Sequence, residues 1–294
     1  MNEISKSDVP LQFDIGQPVV RSEDQRLLTG GGQYTDDTSI EGQVYARFTR
    51  SQIAHGDINS IDTSKAAAMP GVLAVYTGAD LRADGIGDIP SGLPLKNRDG
   101  SGYIVPPRTG LAVGRVRHLG EPIAVVIAET ADQAREAAEA VVVDLDPLPV
   151  VTEAEDAAKD DAPQLHVEAP GNVCLDFFVG DAEETEKAFA AAAHVTSLRI
   201  DNTRMVVNTI EPRSVIGEYD AATERFTIHM PSQGVMGPRN TLAKAIFKVE
   251  PEQFRVISND VGGSFGMKGA AFIEPISVLY AARKLGRPVK WTAA

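Results

Sequence analysis

Cysteine is nearly absent from this sequence: Cys174 is the single one in 294 residues. One thiol excludes an intramolecular disulfide, a cysteine-ligated zinc site and an iron–sulfur cluster held by this chain alone. Basic residues are also short, 28 against 41 acidic ones, giving a formal charge of −13. So acidic a chain is a poor partner for nucleic acid or for an anionic membrane surface. No apolar run reaches the roughly 18 residues that a spanning helix needs. The N-terminal stretch MNEISKSDVPLQFDIG is polar and holds no signal-peptide core. A reducing cytoplasm is the expected setting. Histidine forms no metal constellation: His55, His118, His166, His194 and His229 are scattered, without HExxH or a pair at ligand spacing. No GxSxG nucleophile turn occurs either.

What is present is an ordinary globular composition, 43% hydrophobic, in a length that suits two domains. GQVYARFTRS, 42–51, alternates as a strand does. SIDTSKAAAMPGVLAVYTG reads as a short helix closed by Pro70 and Gly71, then a strand over 72–76. EPIAVVIAETADQAREAAEAVVVDLD is the clearest unit. It predicts a β-branched strand over 123–127, a Thr130 cap, an Ala/Glu helix through Ala140 and a second strand over 141–144. Such alternation predicts a mixed α/β (α+β) class. Residues 151–172 are acidic, rich in alanine and proline, and aperiodic, as a solvated linker is. The segment before them has its own βαβ core and is expected to fold alone.

In the second segment, 173–294, NVCLDFFVG reads as an apolar strand in which Cys174 is a buried, inert thiol rather than a nucleophile. A helix is expected from Ala182, then strands at HVTSLRI, SVIGEYD and RFTIHMPS, the last two as a hairpin. His229 alternates with Phe226 and Ile228 there and reads as structural. GPRNTLAKAIFK predicts a helix behind Pro238, and QFRVISND a strand that runs into DVGGSFGMKG. This loop, 260–269, carries Gly262, Gly263, Gly266 and Gly269 and precedes an apolar helical run from Ala270. It is not a Walker A loop, because Met267 stands five after Gly262 and Lys268 is followed by Gly269. It is not GxGxxG either, since Ser264 and Phe265 fall where the second glycine belongs. Glycines still allow positive φ and close approach to a ligand, and a helix start offers free N–H groups to oxyanions. On spacing alone the loop is either a structural turn or an anion cradle. Glu211 in IEPRS and Glu274 in IEPIS adjoin prolines, and nothing in the sequence pairs either with a second catalytic group.

Several separated motifs, in order, carry a resemblance. IGQPVVRSEDQRLLTGGGQYTDD (15–37), RSQIAHGDINSID, PGVLAVYTGADL and HLGEPIAVVIAETADQAREAAEAVVVDLDPLPVV resemble the α/β hammerhead that opens the molybdenum hydroxylases. These are the xanthine dehydrogenase, aldehyde oxidase and carbon monoxide dehydrogenase large-subunit family. EPRSVIGEYDAATERFTIHMPSQG and RVISNDVGGSFGMKG resemble the start of the family's molybdopterin-binding domain. The resemblance runs from about Phe13 to Thr292. It implies a hammerhead at 13–150, an acidic linker at 151–172 and the N-terminal part of a molybdopterin-binding domain at 173–294. It implies molybdenum–molybdopterin, in its cytosine dinucleotide form, as cofactor. The reaction implied is hydroxylation of an aldehyde, N-heterocycle or similar carbon centre with water as the oxygen source. Gly263, Ser264, Phe265 and Gly266 would lie against the cofactor, with Phe265 also walling the substrate pocket. Gln233, in PSQG, would donate an amide hydrogen bond near the metal's oxo ligand; taken by itself it reads as a helix-entry residue.

The same resemblance sets expectations about what lies elsewhere. Members of the family continue for several hundred residues past the equivalents of Trp291 and Thr292, and their general-base glutamate lies in that later part. Neither Glu211 nor Glu274 matches it. The chain is therefore expected to be inactive alone, either one piece of a split molybdenum subunit or a truncated form. Its expected partners are a C-terminal molybdenum-domain polypeptide, an FAD-binding medium subunit and a 2Fe–2S small subunit. Two readings from other classes stand beside this one: a non-catalytic scaffold or assembly protein of the same fold, and an independent phosphate-ligand binding module.

Overall fold

We describe residues 21–293 from a computed structural model. The expected start at Phe13 and the polar stretch up to Gly16 lie outside the described residues. The chain divides into two units, Met1–Gln33 and Tyr34–Ala294. The described part of the first holds one short helix, α1 (Asp24–Leu28), closed by Thr29, whose N–H and hydroxyl both return to the Gln25 carbonyl.

The second unit opens with strands β1 (Val44–Arg50) and β2 (Gly56–Asp62), the short helix α2 (Ser64–Ala67), strand β3 (Val72–Thr77) and helix α3 (Gly78–Ala83). There follow β4 (Arg115–Val116), β5 (Pro122–Ala128), helix α4 (Ala131–Ala140) and β6 (Val142–Pro147). The expected Thr130 cap is present. Its hydroxyl accepts from the Gln133 N–H at 3.2 Å, and the Gln133 side chain accepts from the Thr130 N–H at 3.1 Å. After two helices, α5 (Ala154–Ala157) and α6 (Ala182–Ala191), come the hairpin β7 (Ser214–Asp220) and β8 (Arg225–His229). Helix α7 (Met236–Asn240) passes into a π-helical stretch, Thr241–Phe247, and then β9 (Phe254–Ile257), helix α8 (Ile273–Leu285) and β10 (Val289–Thr292) follow.

Seven strands form one sheet, in the order β3-β5-β1-β10-β7-β8-β9, and β4-β2-β6 form a smaller one. The large sheet runs through both expected segments. β1 pairs in parallel with β10, Val44 opposite Val289, so the last strand of the described chain sits beside the first. β5 is buried along its whole length, which is why PIAVVIA reads as a continuous apolar run rather than an alternation. Val44, Ala46 and Phe48 of β1 join Val215, Ile228, Ile276 and Leu279 in one core. Helix α8 is buried from Glu274 to Ala282. It lies so close to β7 that a Cβ on Gly217 would stand 3.0 Å from Val278 and 3.1 Å from Leu279.

Several expectations need correcting. HVTSLRI is no strand: 194–200 hold no regular structure, and Leu198 and Ile200 are 79% and 77% exposed. The apolar residues are there, yet no neighbouring strand among the described residues offers hydrogen bonds. NVCLDFFVG is likewise irregular, and Cys174 is half-buried in the wall of a cleft of about 660 Å³. The apolar run after the glycine-rich loop becomes helical at Ile273 rather than Ala270.

The acidic stretch 151–172 is not loose chain. It contains α5, and the Asn172 amide donates to the carbonyls of Ala157 and Pro163 at 3.0 and 2.9 Å. Arg117 donates to the Leu165 carbonyl at 2.9 Å. Beside this contact the Nδ1 of His166 is buried without a hydrogen-bond partner among the described residues. Burial, reinforced by Arg117, holds the His166 pKa below the ordinary imidazole value. The folded imidazole therefore takes up its proton at a lower pH than the unfolded chain, which does so near pH ~6.5. Its stabilising contribution is complete above that pH and declines as pH falls toward the lowered folded value. We expect the melting temperature to drop between pH 7.5 and 5.5 by less in His166→Gln than in the parent chain. Equal drops in a paired thermal-denaturation series would remove His166 from the acid response.

Candidate cofactor site

One edge of the large sheet collects the site. β8 and β9 run parallel, while β7 and β10 run antiparallel to each other and β7 to β8. The C-terminal ends of β8 and β9 and the entry to β7 therefore share one edge, the end of a sheet at which loops gather ligands. Glu211 lies just before β7, Gln233 just after β8, and the glycine-rich loop just after β9.

The loop bends through three left-handed residues: Gly263 at φ +94°, Phe265 at +48° and Gly266 at +87°. A tight turn that mixes right- and left-handed residues can bring successive backbone N–H groups to one concave side, an anion-binding arrangement. Later N–H groups of the loop are occupied. Met267 N–H donates to the Ser264 carbonyl at 2.9 Å, Lys268 N–H to the Ser264 hydroxyl at 3.1 Å, and Gly269 N–H to the Gly266 carbonyl at 3.4 Å. Gly262 N–H donates to the Glu211 carboxylate at 2.7 Å. Among the described residues, the N–H groups of Gly263, Ser264, Phe265 and Gly266 have no partner. A Cβ added at Gly266 meets nothing within 4 Å. The Phe265 ring is 79% exposed, unusual for an aromatic that has no partner chain to cover it. Backbone donors, open space and a bare aromatic ring suit a group that brings anionic oxygens and a flat face.

Gln233 is brought to the same place. Its N–H donates to the Lys268 carbonyl at 3.1 Å. Its side-chain oxygen lies over the bare backbone of Gly269, 3.1 Å from where a Cβ would sit. The side chain is exposed and stands three residues before the start of helix α7 at Met236.

Both glutamates are held by cations, although the Oε1 of Glu211 is buried without a hydrogen-bond partner among the described residues. Glu211 is 7% exposed and accepts from the Lys268 ammonium at 2.8 Å. Glu274 is 3% exposed and held by Arg213 in a two-pronged pair at 3.0 Å each, with Arg50 at 3.2 Å. Arg213 also stacks 4.4 Å over Phe272. Sequence reading missed Lys268, Arg50 and Arg213. Lys268 lies 57 residues from its partner, and Arg50 lies 224 residues from Glu274; no local pattern links positions so far apart. Among the described residues no group of three or more metal-ligating side chains occurs, and no helix is long and apolar enough to cross a membrane.

The fold and the loop together define a class. The family description "Aldehyde oxidase and xanthine dehydrogenase, a/b hammerhead domain" matches residues 29–149, and "Molybdopterin cofactor-binding domain" matches residues 165–294. The chain belongs to the molybdenum hydroxylase family. The nicotine 6-hydroxylase large subunit of Paenarthrobacter nicotinovorans is 34% identical over 281 residues, covering 94% of this chain and 33% of that protein. The carbon monoxide dehydrogenase large chain of Hydrogenophaga pseudoflava is 32% identical over 286 residues, covering 92% and 34%. Among solved structures, quinoline 2-oxidoreductase from Pseudomonas putida 86 superposes with a TM-score of 0.84 at 31% identity, covering 94% of this chain and 34% of that one. The chain thus spans about a third of the length of these relatives.

Proposed function

We propose that this chain forms one wall of the molybdopterin site of a cytoplasmic molybdenum hydroxylase. The substrate class is an aldehyde, an N-heterocycle or a similar carbon centre, with water as the oxygen source. The observation that carries the reading is the row of four unpartnered N–H groups, Gly263 to Gly266, at the end of two parallel strands. Their donors bind anionic oxygens without a charged side chain, and the glycines let the cofactor come against the backbone. Gln233, whose side chain lies over Gly269 of the same loop, donates its amide to an oxygen of the bound cofactor. The exposed ring of Phe265 walls the substrate side and excludes water. When bound, molybdenum–molybdopterin, in its cytosine dinucleotide form, supplies the two-electron oxidation. FAD and 2Fe–2S clusters on partner subunits carry the electrons away.

A C-terminal molybdenum-domain polypeptide completes the site. Its binding is supported by where apolar surface is left open: among the described residues, 12 of the 24 exposed large hydrophobics fall within 173–210, among them Met205, Val206 and Ile210. So much uncovered apolar surface in one stretch of chain is the kind that a partner covers. The chain alone is expected to self-associate or precipitate; a monodisperse monomer in light scattering at micromolar concentration would count against this partner.

Gln233→Ala tests the site. In the assembled enzyme we expect full molybdenum and pterin content with turnover lowered roughly 10- to 100-fold, since a lost buried polar contact costs about 1–3 kcal/mol. Unchanged turnover at full cofactor content would remove Gln233 from the site. Gly266→Val is a poorer probe, because valine at φ +87° strains the backbone whatever lies against it.

A further inference from the structure

Lys268 is the residue that a glycine-rich anion loop would be expected to aim at its ligand, and here it is turned inward. It is 1% exposed. Its ammonium donates to the Glu211 carbonyl at 2.9 Å and to the Glu211 carboxylate at 2.8 Å. The same carboxylate oxygen accepts from Gly262 N–H at 2.7 Å, and Glu211 N–H donates back to the Gly262 carbonyl at 3.2 Å. The Thr209 hydroxyl donates to the Glu211 carbonyl. On its other side Lys268 donates its N–H to the Ser264 hydroxyl and accepts from Gln233 N–H through its carbonyl. One side chain and its peptide unit therefore tie together the entry to β7, the exit of β8 and both limbs of the loop. The fit is tight enough that a Cβ on Gly262 would stand 2.5 Å from the Glu211 Cβ.

A buried ion pair is a weak source of stability, because desolvation cancels most of the attraction. What this one supplies is shape. It occupies the Gly262 N–H and the lysine charge, and it leaves free the four N–H groups that follow. We propose that Glu211 and Lys268 are positioning residues: a buried clamp that holds the 262–269 turn in its ligand-accepting form before any ligand arrives. The anion is then met by backbone N–H groups alone. This inference rests on the reading of the turn as a cofactor cradle.

The test is amide hydrogen exchange on the full chain, diluted below the concentration at which it self-associates, comparing the parent, Lys268→Met and the electroneutral double variant Glu211→Gln/Lys268→Met. Local opening raises exchange only where contacts are lost, so the Gly262, Met267 and Lys268 amides are expected to exchange about tenfold faster in the double variant, with α8 and β7 unchanged. The single variant leaves a bare carboxylate buried and is expected to be the less stable of the two; if it does not fold, the double variant decides alone. A pair that is merely structural would raise exchange across the sheet and leave the ratio of loop to α8 rates as in the parent. That ratio, unchanged in the double variant, overturns the clamp. A second measurement, the molybdopterin carried through purification by the assembled subunit, separates the two ideas. A loosened loop with pterin lost supports both clamp and cradle. A loosened loop with full pterin content supports the clamp and overturns the cradle.

Discussion

Expressed alone, the part of the chain up to residue 150 is expected to remain unfolded, although its sequence reads as a self-contained βαβ domain. The reason is the pairing of β1 with β10. Cut there, β1 keeps β5 on one side and loses every backbone partner on the other. Phe48 loses the edge-on contact with Trp291, 5.9 Å between ring centres. Val44, Phe48, Leu111, Val125 and Ile127 lose the cover of α8 and β7 and become solvent-facing in whole or part. Burial of each such side chain contributes about 1.5–3 kcal/mol, and a whole domain is stable by only about 5–15 kcal/mol. Far-ultraviolet circular dichroism and denaturant titration of this piece should show no cooperative transition. A sigmoidal transition with a slope appropriate to about 150 residues would show that the first segment stands by itself after all.

Removal of the Glu274 carboxylate is the second change with a large expected effect. Glu274 is 4% exposed at its side chain and neutralises Arg213 and Arg50, which are 26% and 37% exposed. Glu274→Ala leaves two guanidinium groups facing each other in a half-buried space with nothing between them. Breaking one side of such a pair typically costs about 3–5 kcal/mol. For a chain of this size that corresponds to a fall of roughly 6–20 °C in melting temperature. Glu274→Gln keeps the shape and some hydrogen bonds, so it should lose less. A carboxylate acting as a catalytic base would give the opposite result, a collapse of turnover at unchanged stability. Calorimetry of Glu274→Ala and Glu274→Gln side by side distinguishes the two, and a loss under about 1 kcal/mol in both would show the arginines to be adequately solvated.

Parts of this structure were legible from the residues themselves. The β5–α4–β6 unit was, because Thr130 caps the helix and the strand residues are β-branched and apolar in unbroken runs. The β7–β8 hairpin and β9 were, for similar reasons. HVTSLRI was not, since strand-like composition becomes a strand only where another strand supplies hydrogen bonds, and none among the described residues does. The site was half legible. Glycine spacing marked a loop at a strand-to-helix turn, while its likeness to a family, rather than spacing, pointed to Gln233. The ion pairs that shape the edge were invisible, because Glu211 and Lys268, or Arg50 and Glu274, meet only after the sheet is assembled. The division of the chain into two sequence segments likewise says nothing of a sheet that both build together.

The parallel pairing of β1 with β10 also fixes an order of events during synthesis. Val44 leaves the ribosome roughly 245 residues before Val289, the partner it faces. At about 5–20 residues per second, the outer edge of β1 waits some 12–50 s for the strand that will cover it. During that interval the apolar residues of β1 and, once it has been made, of β5 stay uncovered and open to association with other nascent chains nearby. Such a chain places an unusual demand on holding chaperones. Its yield in a cell should respond more to translation speed and trigger-type chaperone supply than to the equilibrium stability of the finished fold.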